Sequence, residues 1–198
     1  MNIVKGLAVA IVLSAALAVS VFGQGENAEH ERVLKLTTSV PAAYRTGNTD
    51  RAAAMANELL KLAPKFPKDW NYGNAMHAAH LVLGHIAFDA GDMTEAKRRL
   101  LASVDESVLP YGLRAKNNED ARGQAKASPQ MDSFGPDMSL ASDLLSKGES
   151  ETVLKYFDLC AKFWSMDEGR LAEWRKQIAA GEKPDFGPNL IYFFHNKN

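Results

Sequence analysis

Three histidines within nine residues are the clearest candidates for metal ligands in this chain of 198 residues. His77 and His80 stand three residues apart, which places them on one face of a helix. His85 lies about 80° around that helix from His77 and about 140° from His80, so one helix cannot direct all three rings at one ion. No acidic residue separates the first two, unlike in the His-Glu-x-x-His pattern of metalloproteases, and zinc would need a further ligand from elsewhere. We predict histidines that pack between helices or face solvent; the alternative is an exported metal- or small-molecule-binding protein that uses His77 and His80.

Motifs for nucleophilic catalysis or phosphate binding are absent from the sequence. There is no Gly-x-Ser-x-Gly and no glycine-rich phosphate loop. Cys160 is the only cysteine, and its helical spacing from Tyr156 and Phe157 indicates a small buried side chain. The acids around Asp89 and Asp92 flank a turn, where carboxylates cap helices and meet solvent. The sequence therefore predicts a protein that is not an enzyme and uses no cofactor; a hydrolase with an unrecognised nucleophile is the remaining alternative.

The first 23 residues have the pattern of a secretory signal. Lys5 provides the positive charge, residues 7–22 are apolar apart from two serines, and Gly23 marks a plausible cleavage site before a polar run. The apolar stretch is shorter than the roughly 20 residues of a membrane-spanning helix. We predict a periplasmic or secreted protein cleaved near Gly23, with mature residues 24–198. The alternative is a retained N-terminal membrane anchor that leaves the protein facing outside the cytoplasm.

The charge balance does not favour nucleic acid as a partner. Without residues 1–23 the chain carries 22 basic and 24 acidic side chains, which are mixed along the sequence. Nucleic-acid-binding proteins normally concentrate basic residues on one surface. The sequence therefore predicts no nucleic-acid binding.

The rest of the chain predicts an all-α protein. Apolar residues recur at helical spacing from about residue 28 onward, and the alternating patterns of strands are nearly absent. Gly47, Gly91 and Gly148 each separate two helical segments. A long polar connection covers about residues 105–133, and an apolar tail covers residues 184–198.

One of these helical pairs resembles a tetratricopeptide repeat. The residues that carry the resemblance are Leu83, Gly84, Ala87, Gly91, Ala96 and Leu100. The pairs around Gly47 and Gly148 resemble the repeat more loosely, so the likeness covers about residues 33–165 in degenerate form. The stretch 128–136 also resembles bacterial repeat proteins of unassigned role. The resemblance implies a short right-handed solenoid of about three antiparallel helical hairpins plus a C-terminal capping helix.

The resemblance also implies where a partner would bind. In tetratricopeptide arrays the first helices of successive hairpins line a concave face. The corresponding positions include Thr37, Pro41 and Ser142, and the partner groove is assigned to Tyr44, Leu81, His85, Phe88, Asp89, Met138 and Leu145. Thr37 and Pro41 replace the residues that clamp a peptide carboxylate in some family members. The expected function is an exported protein–protein interaction scaffold for a protein or peptide partner; the alternative is that the groove is filled by the chain's own loop or tail.

A Phe-Gly-Pro sequence occurs twice, at residues 134–136 and 186–188. Aromatic-Gly-Pro followed by Asp or Asn is typical of a turn that leads into a helix. We predict that both Phe134 and Phe186 are buried and dock the chain before a new element. The residues 191–194 that follow the second copy are apolar, and we predict that this terminal segment is docked on the helices.

Overall fold

The computed structural model describes residues 4–105, 129–164 and 166–190, with side chains from residue 25 onward except at position 129. Within these residues every regular element is helical and there is no strand, which confirms the predicted all-α class. The elements are α1 (Val4–Arg45), α2 (Thr49–Leu62), the 3₁₀ turn η1 (Ala63–Lys65), α3 (Tyr72–Asp89), α4 (Met93–Ala102), α5 (Pro129–Phe134), α6 (Ser139–Leu145), α7 (Ser150–Cys160), α8 (Arg170–Ala179) and the 3₁₀ turn η2 (Gly187–Leu190).

Several sequence predictions fall outside the described part of the chain. The backbone of residues 4–23 of the signal segment belongs to α1, but their side chains are not described. Most of the long connection 105–133 and residues 191–198 of the tail lie outside the described residues. The described end of the connection forms the short helix α5. Among the described residues, no helix combines the length and the apolar character needed to cross a membrane.

Glycine turns separate successive helices, as predicted. Gly47, Gly91 and Gly148 have φ angles of 77°, 80° and 83°. This left-handed conformation is open to glycine at little cost and ends helices efficiently. Asn48 and Asp92 then cap the next helices, because their side chains accept the backbone N–H three residues further on, at 3.3 and 3.0 Å. Local chemistry therefore determines where α1, α3 and α6 end.

The helices pack mainly on their neighbours in sequence. Helix α2 packs on α1, α3 packs on both of them, and α4 packs on α3. Helix α6 contacts α3 and α4, α7 contacts α4 and α6, and α8 contacts α7. Pro41 lies inside helix α1, which continues past it and ends at Arg45.

Helix α3 lies at the centre of this arrangement. Fifteen of its 18 residues are buried. One face packs into a cluster with residues of α1 and α2 such as Leu36 and Leu59, and the other packs into a cluster with residues of α4 and α6 such as Leu100 and Leu140. A helix that is covered all round has no polar face to expose. The buried polar side chains of α3 must therefore find their partners inside the protein.

Two helices approach α3 closely at Gly84. A Cβ atom on this residue would overlap Leu140 Cδ2 and would lie 3.1 Å from Arg99 Cβ. Leu140 is fully buried, and close-packed interiors leave such a side chain little room to move. The absence of a side chain at Gly84 therefore lets α4 and α6 pack against α3.

We predict that Gly84→Val lowers the free energy of unfolding by about 1–3 kcal/mol, the usual cost of overpacking a filled core. Urea denaturation followed by circular dichroism measures the change. Gly25→Val is the matched control, because a Cβ at this helical glycine has no neighbour within 4 Å. Equal effects of the two substitutions would contradict the close approach at Gly84.

Candidate functional site

An open cleft of about 450 Å³ lies where α1, the start of α3 and α5 meet. We call it the main cleft. The lining residues of the cleft come from three places: Thr37, Thr38, Pro41 and Arg45 in α1; Trp70 and Asn71 just before α3, with Asn74 and His77 in its first turns; and Gln130, Met131, Phe134 and Gly135 at and after α5. The volume falls within the range of about 300–1,000 Å³ that is usual for ligand sites.

Buried polar side chains line the cleft between α1 and α3. Asn71 Nδ2 donates to Thr37 Oγ1 at 2.9 Å, and that hydroxyl donates to the Val33 carbonyl at 2.9 Å. Asn74 Nδ2 donates to Asn71 Oδ1 at 3.3 Å. Because a buried polar group is costly without a partner, these bonds hold the amides and the hydroxyl in place. The cleft thus has a fixed set of neutral hydrogen-bonding groups.

Two large aromatic side chains line the same cleft and remain open to solvent. Trp70 is 53% exposed and Phe134 is 55% exposed, whereas Pro41 and Met131 are buried in the lining. Exposed apolar groups in a concave site mark binding surfaces more often than isolated surface residues do. Among the described lining residues Arg45 is the only one with a formal charge if His77 is neutral. The lining therefore suits an apolar group that also has polar atoms.

His77 is neutral because of its two hydrogen-bond partners. Its Nδ1 lies 3.3 Å from the Ser103 carbonyl, which can only accept, and its Nε2 accepts from the backbone N–H of Asp137 at 3.2 Å. These two roles place the single proton on Nδ1. Burial lowers the pKa of His77 to about 3, and the nearby His80 also lowers it. The ring is therefore uncharged at neutral pH.

His80 is held neutral in a different way. Its Nδ1 lies 3.2 Å from Nη1 of Arg99, and since a guanidinium can only donate, Nδ1 accepts and the proton lies on Nε2. Burial and the charges of Arg99 and Arg98 together lower the pKa of His80 to about 4, and burial is the largest cause. Two buried histidines of α3 are thus uncharged in the folded protein.

These bonds bear directly on the metal-binding alternative. A metal needs a free nitrogen lone pair, but the lone pair of His77 is used by Asp137 and that of His80 by Arg99. Across residues 4–105, 129–164 and 166–190, no group of three or more His, Cys, Asp or Glu side chains is arranged to hold a metal ion. The described geometry therefore favours packing roles for both histidines.

The residues assigned to the partner groove come together in the structure, but most of them are covered. Tyr44 donates to Asp89 Oδ2 at 2.6 Å, and its ring centroid lies 5.6 Å from that of His85. Tyr44 is only 5% exposed, and Leu81, His85 and Met138 are buried as well. Phe88 and Leu145 are partly buried, whereas Asp89 is exposed. Tyr44 is covered because its side chain packs against Asp89 and His85 of α3.

Three side chains contact one another in the serine–histidine–aspartate arrangement of serine hydrolases: Ser139, His85 and Asp143. His85 Nε2 lies 2.9 Å from Ser139 Oγ, and His85 Nδ1 lies 3.2 Å from Asp143 Oδ2. However, the Ser139 hydroxyl donates to Asp137 Oδ1, which also accepts the Ser139 N–H at 2.8 Å. A nucleophilic serine must instead pass its proton to the histidine. We interpret the group as a junction that ties α3 to the start of α6.

The main cleft contains residues that the sequence did not single out. Trp70, Asn71 and Gln130 lie near predicted turns and carry no recognisable motif. Phe134 was predicted to be buried, yet it is 55% exposed; the matching prediction for Phe186 is confirmed, since it is 1% exposed. The sequence held one signal for this site. Trp70 follows Pro64 and Pro67 closely, and a tryptophan in a turn lacks neighbours on its own helix that could cover it.

No protein-family model matches the chain, and neither the curated proteins nor the solved structures contain a match. The functional argument therefore rests on the geometry of the main cleft.

We predict that stability decreases between pH 6 and pH 5. Both histidines have pKa values lowered by burial, to about 3 and about 4, whereas an unfolded histidine titrates near pH 6.5. Unfolding in this interval takes up about two protons, so the free energy of unfolding falls by about 1.4 kcal/mol per histidine and pH unit. The loss continues until the pH passes below the folded pKa values.

Urea denaturation at pH 7, 6 and 5 measures this slope, and His80→Gln provides the comparison. Glutamine cannot titrate, so the variant should keep about half of the slope. A parent protein with the same stability at pH 6 and pH 5 would show that these histidines are not buried in the neutral form.

Proposed function

We propose that the protein is an exported interaction scaffold that binds an extended segment of a protein partner in the main cleft. The observation that carries the proposal is the presence of exposed Trp70 and Phe134 in one concave site. Tryptophan and other aromatic anchors contribute much of the binding energy at protein interfaces. Export rests on the signal-like pattern of residues 1–23, and no catalytic role is part of the proposal.

The polar wall of the cleft supports a peptide rather than a purely apolar ligand. Asn71, Asn74 and Gln130 provide amide groups beside the aromatic side chains. Amides can both donate to and accept from a peptide backbone, so they suit an extended segment whatever its side chains. The proposed ligand is therefore a short peptide segment that places a large apolar side chain against Trp70 and Phe134.

The proposal keeps the repeat architecture implied by the sequence, with a different binding position. In this view α1 with α2, α3 with α4 and α6 with α7 are three degenerate tetratricopeptide-like hairpins in a short right-handed solenoid, and α8 is the capping helix. Thr37 and Pro41, which the resemblance assigns to the concave face, line the main cleft. Tyr44, Leu81 and His85 are buried and do not line the main cleft.

A random 12-residue peptide library selected on the protein tests the proposal. We expect the selected peptides to contain an aromatic or large aliphatic residue, and to lose roughly ten- to a hundredfold in affinity for Trp70→Ala or Phe134→Ala. This range corresponds to losing one buried apolar side chain, about 1.5–3 kcal/mol. Both residues are more than half exposed, so the variants should retain the parent's thermal unfolding midpoint.

Met166→Ala is the matched control for Trp70→Ala, because Met166 is 54% exposed but does not line the main cleft. It should bind the selected peptides as the parent does. Peptides that bind the parent, Trp70→Ala and Phe134→Ala equally well would place the binding surface elsewhere and contradict the proposal.

A further inference from the structure

A second depression, of about 340 Å³, also involves Phe134. We call it the tail cleft. The apolar part of its lining consists of Phe134, Met166 and Pro188. The lining also includes an ion pair of 2.6 Å between Glu168 and Arg170. Phe134 and Met166 are 55% and 54% exposed. Large apolar side chains that lie together in a depression and remain open to water favour a further binding event.

The last described residues of the chain are held beside this cleft. Asn189 is buried, and its Nδ2 donates to the carbonyls of Phe134 and Pro136, at 3.0 Å each. The backbone N–H of Met138 donates to the Asn189 carbonyl at 2.8 Å. Three hydrogen bonds therefore fix the end of η2 directly beside Phe134. Pro188 and Asn189 line the tail cleft, and the next residues of the chain start from this point.

The residues that follow have the composition of an occupant for this cleft. Positions 191–194 read Ile-Tyr-Phe-Phe, and the polar residues His-Asn-Lys-Asn complete the chain. Four extended residues span about 13 Å, enough to cross a surface depression of this size. Because the segment begins two residues after Asn189, the entropy lost when it contacts the cleft is small. A separate molecule would lose far more freedom on binding there.

We propose that residues 191–194 fold back onto the tail cleft and cover Met166 and the side of Phe134 that lines this cleft, while the side of Phe134 that lines the main cleft stays open to a partner. The occupant of this surface is thus the protein's own C-terminal segment rather than a second molecule. The anchored Asn189 determines where the segment starts, and its apolar side chains determine how it binds. The last four residues, which are polar, then lie at the solvent side of the cleft.

Disulfide trapping in the full chain tests the contact. Met166→Cys with Tyr192→Cys places one thiol in the tail cleft and one in the segment. The control pair, Lys61→Cys with Tyr192→Cys, uses an exposed residue of α2, a helix that packs on α1 and α3. The natural Cys160 gives little background, because it is fully buried and burial raises its pKa. Mild oxidation is followed by alkylation and intact mass measurement.

The Met166 pair should close at least tenfold faster than the Lys61 pair. Adding Phe193→Asp and Phe194→Asp to the Met166 pair should slow closure at least fivefold, because a charged segment does not settle in an apolar cleft. Equal rates for the two cysteine pairs, or a rate unchanged by the aspartates, would overturn the proposal. The experiment needs no peptide ligand, so its result is separate from that of the peptide selection.

Discussion

The fold depends on the way His77 is held inside the buried helix α3. One ring nitrogen donates to the Ser103 carbonyl and the other accepts from the Asp137 N–H. A neutral ring can make both bonds, so a single side chain joins the end of α4 and the residues before α6 to α3 without burying a charge. Losing either bond would leave a buried polar group unpaired, at a cost of about 1–3 kcal/mol. The cluster that α3 forms with α4 and α6 is thereby kept in one arrangement.

The same junction shapes the main cleft. The Tyr156 hydroxyl donates to the Asp137 carbonyl at 3.1 Å, and Asn189 binds the carbonyls of Phe134 and Pro136. Residues 134–137 are therefore fixed by bonds to α3, α7 and η2. This explains how Phe134 can be exposed while the backbone around it is held firmly. His77 also lines the cleft, so the residue that organises the core lies beside the proposed binding surface.

Features with local causes could be predicted from the sequence, and those with distant causes could not. Gly47 and Gly91 mark turns because a left-handed glycine depends only on its own conformational freedom. The two Phe-Gly-Pro sequences look alike, yet Phe186 packs against Trp174 with 4.9 Å between ring centroids, whereas Phe134 is exposed. Tyr44 is buried by a hydrogen bond to Asp89, which lies 45 residues away in the sequence, so its own neighbours do not indicate its burial. The main cleft joins α1, α3 and α5, so no single stretch of sequence indicates it.

The most direct test of this account is the ¹⁵N NMR signature of the His77 ring in the folded protein. We predict a neutral ring with its proton on Nδ1, unchanged between pH 7 and pH 5, because the Ser103 carbonyl and the Asp137 N–H allow only that form. A His77 ring that becomes protonated near pH 6.5, or that has its proton on Nε2, would contradict the junction on which the core and the main cleft depend.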